Sequence, residues 1–122
     1  MRQNGTYSNA STTVAFVDLA GFSAIADVYG DASAIYILEL FENMVRTSLR
    51  DYQPPLKWIG DEAMLAFPDP DLAIQALGTL LQACRKDSRL PLTRAGVNHG
   101  PVIRRDDDIF GSTVNVAARV AA

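Results

Sequence analysis

Val14-Ala15-Phe16-Val17-Asp18-Leu19-Ala20-Gly21-Phe22-Ser23 is the stretch that decides how this chain folds. A short apolar run closing on a charged residue is the pattern of a buried strand, over residues 13–19. Gly21 and Phe22 then open a short helix, which Gly30 ends. Asp18 thus stands at a strand end beside the backbone amides of Leu19–Ser23, where the helix dipole favours a phosphate. Gly21 lacks a Cβ and lets a ligand come close.

A second aspartate repeats the theme in Lys57-Trp58-Ile59-Gly60-Asp61-Glu62. Short strands near 56–59 and 63–67 flank Gly60-Asp61, a hairpin-turn signal. Taken singly, Asp18 reads as a helix cap and Asp61 as a turn former. Taken together, and with the two strands as neighbours, their carboxylates converge. Paired hard oxygen ligands suit two Mg²⁺ or Mn²⁺ ions held against a triphosphate.

Between these blocks, residues 31–51 read as an amphipathic helix with Asp31 as N-cap and Ile35, Leu38, Phe41, Val45 and Leu49 inward. Pro54-Pro55 breaks it. A second helix spans about 70–86, with Leu77, Leu80, Leu81 and Cys84 inward and Arg85 and Lys86 at its negative end. Residues 92–98 form a strand, 101–104 a further short one, and from Ser112 or Thr113 the pattern is helical, with Val116 and Val120 as the apolar positions. The order β-α-α-β-β-α-β-(β)-α is an α+β arrangement of the ferredoxin-like split βαβ kind: a mainly antiparallel sheet with helices on one face. Residues 1–12 are polar and read as a flexible tail, leaving 13–122 as one domain. The chain stops at or just after its last helix, so a fragment truncated at the C-terminus is expected.

Bulk properties narrow the function. The chain has 122 residues, 48% hydrophobic, with a net charge of -3. An acidic balance argues against a nucleic-acid partner. One cysteine, Cys84, permits no internal disulfide, and with no signal peptide a cytoplasmic location is expected. No apolar run approaches the roughly 18 residues of a membrane span. The lone His99 has no second histidine or cysteine nearby and reads as structural rather than as a zinc ligand. Asn115 and Arg119 lie four apart on one helix face, where Arg119 can meet a phosphate with two donors. On spacing alone that face is equally a solvated one, and Lys57, Arg94 and Asp108 read singly as surface charges.

Three blocks change that balance: Phe16–Ser23, Lys57–Asp61, and Arg94-Ala95-Gly96-Val97-Asn98-His99-Gly100 running on through Asp108 to Arg119. In this order the chain, over residues 13–122, resembles the palm-like catalytic domain of class III adenylyl and guanylyl cyclases, of bacterial type. The resemblance implies that Asp18 and Asp61, with the Leu19 carbonyl, hold two metal ions. It implies that Gly21, Phe22 and Ser23 cradle phosphate and that Arg94 contacts the terminal phosphates. Lys57 and Asp108 resemble an adenine-recognising pair, Asn115 the residue that orients the ribose, and Arg119 the arginine that steadies charge on the α-phosphate. It further implies a homodimer with two interfacial sites, Asp18, Asp61 and Arg94 coming from one chain and Lys57, Asp108, Asn115 and Arg119 from the other. The reading is an adenylate cyclase acting on ATP. Its alternatives are a non-catalytic nucleotide-binding or dimerisation module, or a cyclase of GTP or a pyrimidine triphosphate. Diguanylate cyclases are set aside because their Gly-Gly-Asp/Glu-Glu-Phe signature is missing.

Overall fold

The computed structural model describes residues 8–122. In chain order it contains β1 (Ser8–Leu19), α1 (Phe22–Tyr29), α2 (Asp31–Ser48), β2 (Lys57–Ile59), β3 (Glu62–Phe67), α3 (Pro70–Lys86), β4 (Thr93–Arg105), β5 (Asp108–Phe110) and α4 (Ser112–Ala121). The strands form one antiparallel sheet in the order β2-β3-β1-β4-β5. This is the expected α+β architecture.

Side-chain alternation along β1 divides the core in two. Ala15, Val17 and Leu19 point to one face, where they meet Phe41, Val45 and Leu49 and the α3 residues Ala73, Ala76, Leu77, Leu80 and Cys84. Phe41 and Leu80 are fully buried, each contributing about 1.5–3 kcal/mol. Trp58 closes this cluster edge-on against Phe41, with ring centroids 5.8 Å apart. Val14 and Phe16 point the other way and pack with Met64, Val102 and Ile109 against Val114, Ala117 and Ala121 of α4. Helices therefore cover both faces, not one: α2 and α3 on the first, α4 on the second.

Several local expectations are corrected. Residues 8–12, expected in a flexible tail over 1–12, belong to β1, which pairs Ser8 through Thr12 with Arg104 through Gly100 of β4; the rest of the expected tail, residues 1–7, lies outside the described residues. The separate strands at 92–98 and 101–104 are one strand, held straight through Gly100-Pro101 by that pairing. The chain passes from β4 to β5 in a turn at Asp106 and Asp107, where Asp106 takes a φ of 55° that an aspartate tolerates. Asp31 is the first residue of α2 rather than its cap, because Gly30, at φ 91°, already turns the chain between two helices. Ile35 is exposed and Ala34 takes its inward place. On α4 the buried residues are Thr113, Val114, Ala117 and Ala121, while Val120 faces solvent.

Where the pattern was local it held. Gly21 at φ 71° caps α1, and Gly60 at φ 62° supplies the positive φ that a two-residue hairpin needs. The Asp69 carboxylate accepts from Leu72 N at 2.9 Å, and with Pro70 in the first turn this starts α3 where expected.

Candidate active site

Strand register sets the site. Phe16 pairs with Met64 of β3 and Gly96 of β4, and Met64 pairs with Lys57 of β2. Two residues on, Asp18 pairs with Arg94. Lys57, Asp18 and Arg94 therefore share the face of the sheet that α4 covers.

Asp18 is the electrostatic centre. Its Oδ1 is buried without a hydrogen-bond partner. Arg94 Nε lies 3.6 Å away, an ion-pair distance too long for a hydrogen bond. Burial pushes the Asp18 carboxyl above its usual range; the Arg94 charge opposes this and the Asp61 charge adds to it. Asp61 sits on the β2–β3 turn, beyond the last β1–β3 pair, Val17 with Ala63. Two carboxylates are thus brought together, as the sequence anticipated. Glu62 was missed: burial, then the charges of Asp18 and Asp61, push its carboxyl up as well. Its place directly after Asp61 was the available signal. Half-buried, mutually repelling carboxylates, with one buried oxygen on Asp18 left without a partner, fit a divalent cation. Among the described residues no three acidic, His or Cys side chains form a closed ligand cluster. Two carboxylates open to further oxygens suit Mg²⁺, which completes its shell with water and phosphate.

The phosphate cradle expected over Leu19–Ser23 is shorter: Leu19 belongs to β1, where it pairs with Thr93, and the Ala20 amide is engaged. Ala20 N donates to Leu92 O at 2.7 Å, tying the end of β1 to the approach of β4. Gly21, Phe22 and Ser23, at the start of α1, remain as the candidate donors.

Lys57 and Asp108 are joined directly: Lys57 Nζ donates to Asp108 Oδ2 at 2.7 Å. Burial pulls the Asp108 carboxyl up, but the hydrogen bonds from Lys57 and Ile109 N, with the Lys57 charge, outweigh it and hold the carboxyl below its usual value. Asn115 and Arg119 are exposed on α4, and no hydrogen bond or ion pair ties either side chain to the other candidates among the described residues. His99 is structural in the way expected: its Nδ1 and the buried Thr13 Oγ1, cross-strand partners, share a hydrogen bond of 2.7 Å. A cavity of about 620 Å³ between α1, α2 and the segment before β4 includes Ile25, Tyr36 and Leu90 in its lining, none of them a site candidate.

An antiparallel palm-like sheet with two carboxylates at a strand end and a hairpin tip defines a nucleotide-cyclase class of domain. Residues 1–102 match the family model for the diguanylate cyclase, GGDEF domain. The chain belongs to this GGDEF and class III cyclase-type family. The full signature is absent, but Gly60-Asp61-Glu62 preserves its middle, with Ile59 and Ala63 on either side. A pH-sensitive adenylate cyclase of Mycobacterium tuberculosis is 36% identical over 112 residues, covering 88% of this chain and 27% of that protein. An adenylate cyclase of Streptomyces griseus is 32% identical over 114 residues, covering 89% of this chain and 28% of that one. The chain spans under a third of the length of these relatives. Among solved structures, a bacterial light-regulated adenylyl cyclase superposes with a TM-score of 0.81 at 20% identity, over 94% of this chain and 40% of that one. The catalytic core of a rhodopsin-guanylyl cyclase with converted specificity superposes with a TM-score of 0.80 at 22% identity, over 94% of this chain and 73% of that one. At such identities these two speak for the fold.

Proposed function

We propose that this chain is the catalytic module of an adenylate cyclase, converting ATP to 3′,5′-cyclic AMP and pyrophosphate, and that it acts as a homodimer. The observation that carries the reading is the Lys57–Asp108 pair, a preassembled donor and acceptor. Adenine presents an amino donor and a ring-nitrogen acceptor, which the Asp108 carboxylate and the Lys57 ammonium complement. Guanine offers a carbonyl where adenine has the amino group and meets a second acceptor.

In this reading Asp18, Asp61 and the Leu19 carbonyl hold two Mg²⁺ or Mn²⁺ ions. When bound, these lower the pKa of the ribose 3′-hydroxyl and neutralise the triphosphate. The amides of Gly21, Phe22 and Ser23 take phosphate oxygens at the positive end of α1. Arg94 supplies a fixed charge to the terminal phosphates. From the partner protomer, Asn115 orients the ribose and Arg119 offers its fork to the α-phosphate as negative charge grows there. The protein contributes position and preset charge, with no covalent nucleophile.

Incubation with Mn²⁺ and each of ATP, GTP, CTP and UTP, beside an Asp18→Ala control, tests this. Cyclic AMP made by the wild type and lost in the control is the expected result. Cyclic GMP or a cyclic pyrimidine nucleotide would keep the cyclase and revise the base. Nucleotide binding without turnover would favour a binding module.

A further inference from the structure

Alternate residues of β4 form a row on the face that α4 covers: Arg94, Gly96, Asn98 and Gly100. Arg94 faces Asp18. The other three hold α4. A side chain on Gly96 would collide with the helix backbone, its Cβ falling on Ala121 N and 2.6 Å from Ala117 O. A Cβ on Gly100 would stand 2.7 Å from Thr113 Oγ1, which donates to Pro101 O. Between these two contacts the Asn98 side chain donates from Nδ2 to the Thr113 carbonyl at 3.2 Å. A carbonyl only accepts, so the amide nitrogen must face it.

We propose that Asn98 is a positioning residue: its side-chain amide pins the first turn of α4 to β4 and thereby sets where Asn115 and Arg119 stand relative to Lys57 and Asp108, the groups of the same protomer with which they enter one site. The inference rests on the cyclase reading for the roles of Asn115 and Arg119. Its physical basis is that bond's location. The glycine contacts let α4 approach β4, and two directional bonds at Thr113 oppose sliding along the strand: its hydroxyl donates to Pro101 O and its carbonyl accepts from the Asn98 amide. The Asn98 amide reaches the helix two residues before Asn115 and six before Arg119. A shift of α4 by a fraction of a helical turn would misplace both side chains while leaving Val114, Ala117 and Ala121 in apolar surroundings.

The test is a double-mutant cycle on Asn98 and Arg119 in the protein, with amide hydrogen exchange as a second readout. Asn98→Ala is expected to lower kcat about tenfold while moving KM for ATP less than about twofold. Asn98→Asp, the same shape with an acceptor facing the Thr113 carbonyl, is expected to do at least as much damage. In an Arg119→Ala background the Asn98→Ala loss is expected to shrink to about threefold, the part exerted through Asn115, because the Arg119 side chain it positions is gone. A merely stabilising asparagine would reduce activity by the same factor in both backgrounds, and that multiplicative result would overturn the proposal. In exchange, amides of Asn115–Ala121 should open about tenfold faster in Asn98→Ala, with those of β1 unchanged. Unchanged α4 exchange would also overturn it. If the wild type made no cyclic product from any nucleotide, the cyclase reading would fall. Exchange would still judge the clamp by itself.

Discussion

Lys57 and Asp108 stand on β2 and β5, the strands at opposite edges of the sheet, yet their side chains meet at 2.7 Å. A flat sheet would hold its edges four strand spacings apart, roughly 19 Å. The contact therefore records how strongly this sheet curls over α4. Neither side chain is buried, at 41% and 28% exposure, so the pair contributes little stability and its value lies in where it holds the two groups.

The proposed base choice rests on that pair. Asp108→Asn removes the charged acceptor that adenine's amino group needs and offers guanine a donor. The ratio of ATP to GTP turnover should fall by about tenfold to a hundredfold, with the melting temperature nearly unchanged. Initial rates with the two nucleotides measure it.

Asp18 should cost stability at neutral pH. Its folded pKa is raised above 3.8, so between that value and the folded one the native chain binds more protons than the unfolded chain. Stability accordingly falls as pH rises through this window. Asp18→Asn should melt higher than wild type at pH 7, the difference shrinking as pH drops towards 4, while cyclase activity is lost. Thermal unfolding across pH reads the first part; a variant that melts lower at pH 7 would contradict it.

A divalent cation should relieve the same repulsion. Mn²⁺ is expected to raise the wild-type melting temperature, by about 2.7 kcal/mol of stability at a hundredfold excess over its Kd, and to leave Asp18→Asn unmoved. Asp61→Asn should show an intermediate shift. Calorimetry with and without EDTA distinguishes the three.

Gly96→Ala should destabilise the fold by about 1–3 kcal/mol, because the new methyl meets helix backbone rather than a side chain that can turn away. Gly78, with open space around its Cα, is the control: Gly78→Ala, inside α3, should gain about 0.5–1 kcal/mol. Urea unfolding of both variants settles the comparison.

Arg119→Ala should lower kcat by about a hundredfold to a thousandfold with little change in KM, as expected for a donor that acts on charge present only in the transition state. Arg119 is exposed, so melting should not move. A KM increase at constant kcat would assign it to ground-state binding instead.

Much of this was legible in local sequence. The apolar run to Asp18, the Gly60-Asp61 turn and the Asp69-Pro70 start of α3 each depend on residues within a few positions, and each lies where expected. The misreadings share one cause. Residues 8–12 look like a tail because their polar pattern carries no signal, but β4 supplies partners for their backbone ninety residues away. Val116 and Val120 look like the core face of α4, but Gly96 lets the helix come so close that Ala117 and Ala121 are what fit there. Glu62 and Asn98 sit inside motif blocks, but only neighbours distant in sequence show what each of them meets: Asp18 for Glu62, Thr113 for Asn98.

The sequence by itself determined the four helices and the strands around Asp18 and Asp61, but not β5, and the residue types available for nucleotide chemistry, because these follow from short-range periodicity and turn preferences. Only the tertiary structure decided that both sheet faces are covered, that Lys57 reaches Asp108 across the curl, and that α4 is seated on Gly96, Asn98 and Gly100. Those relationships depend on strand register and backbone approach between segments far apart in the chain, where a missing methyl or a single amide sets the distance.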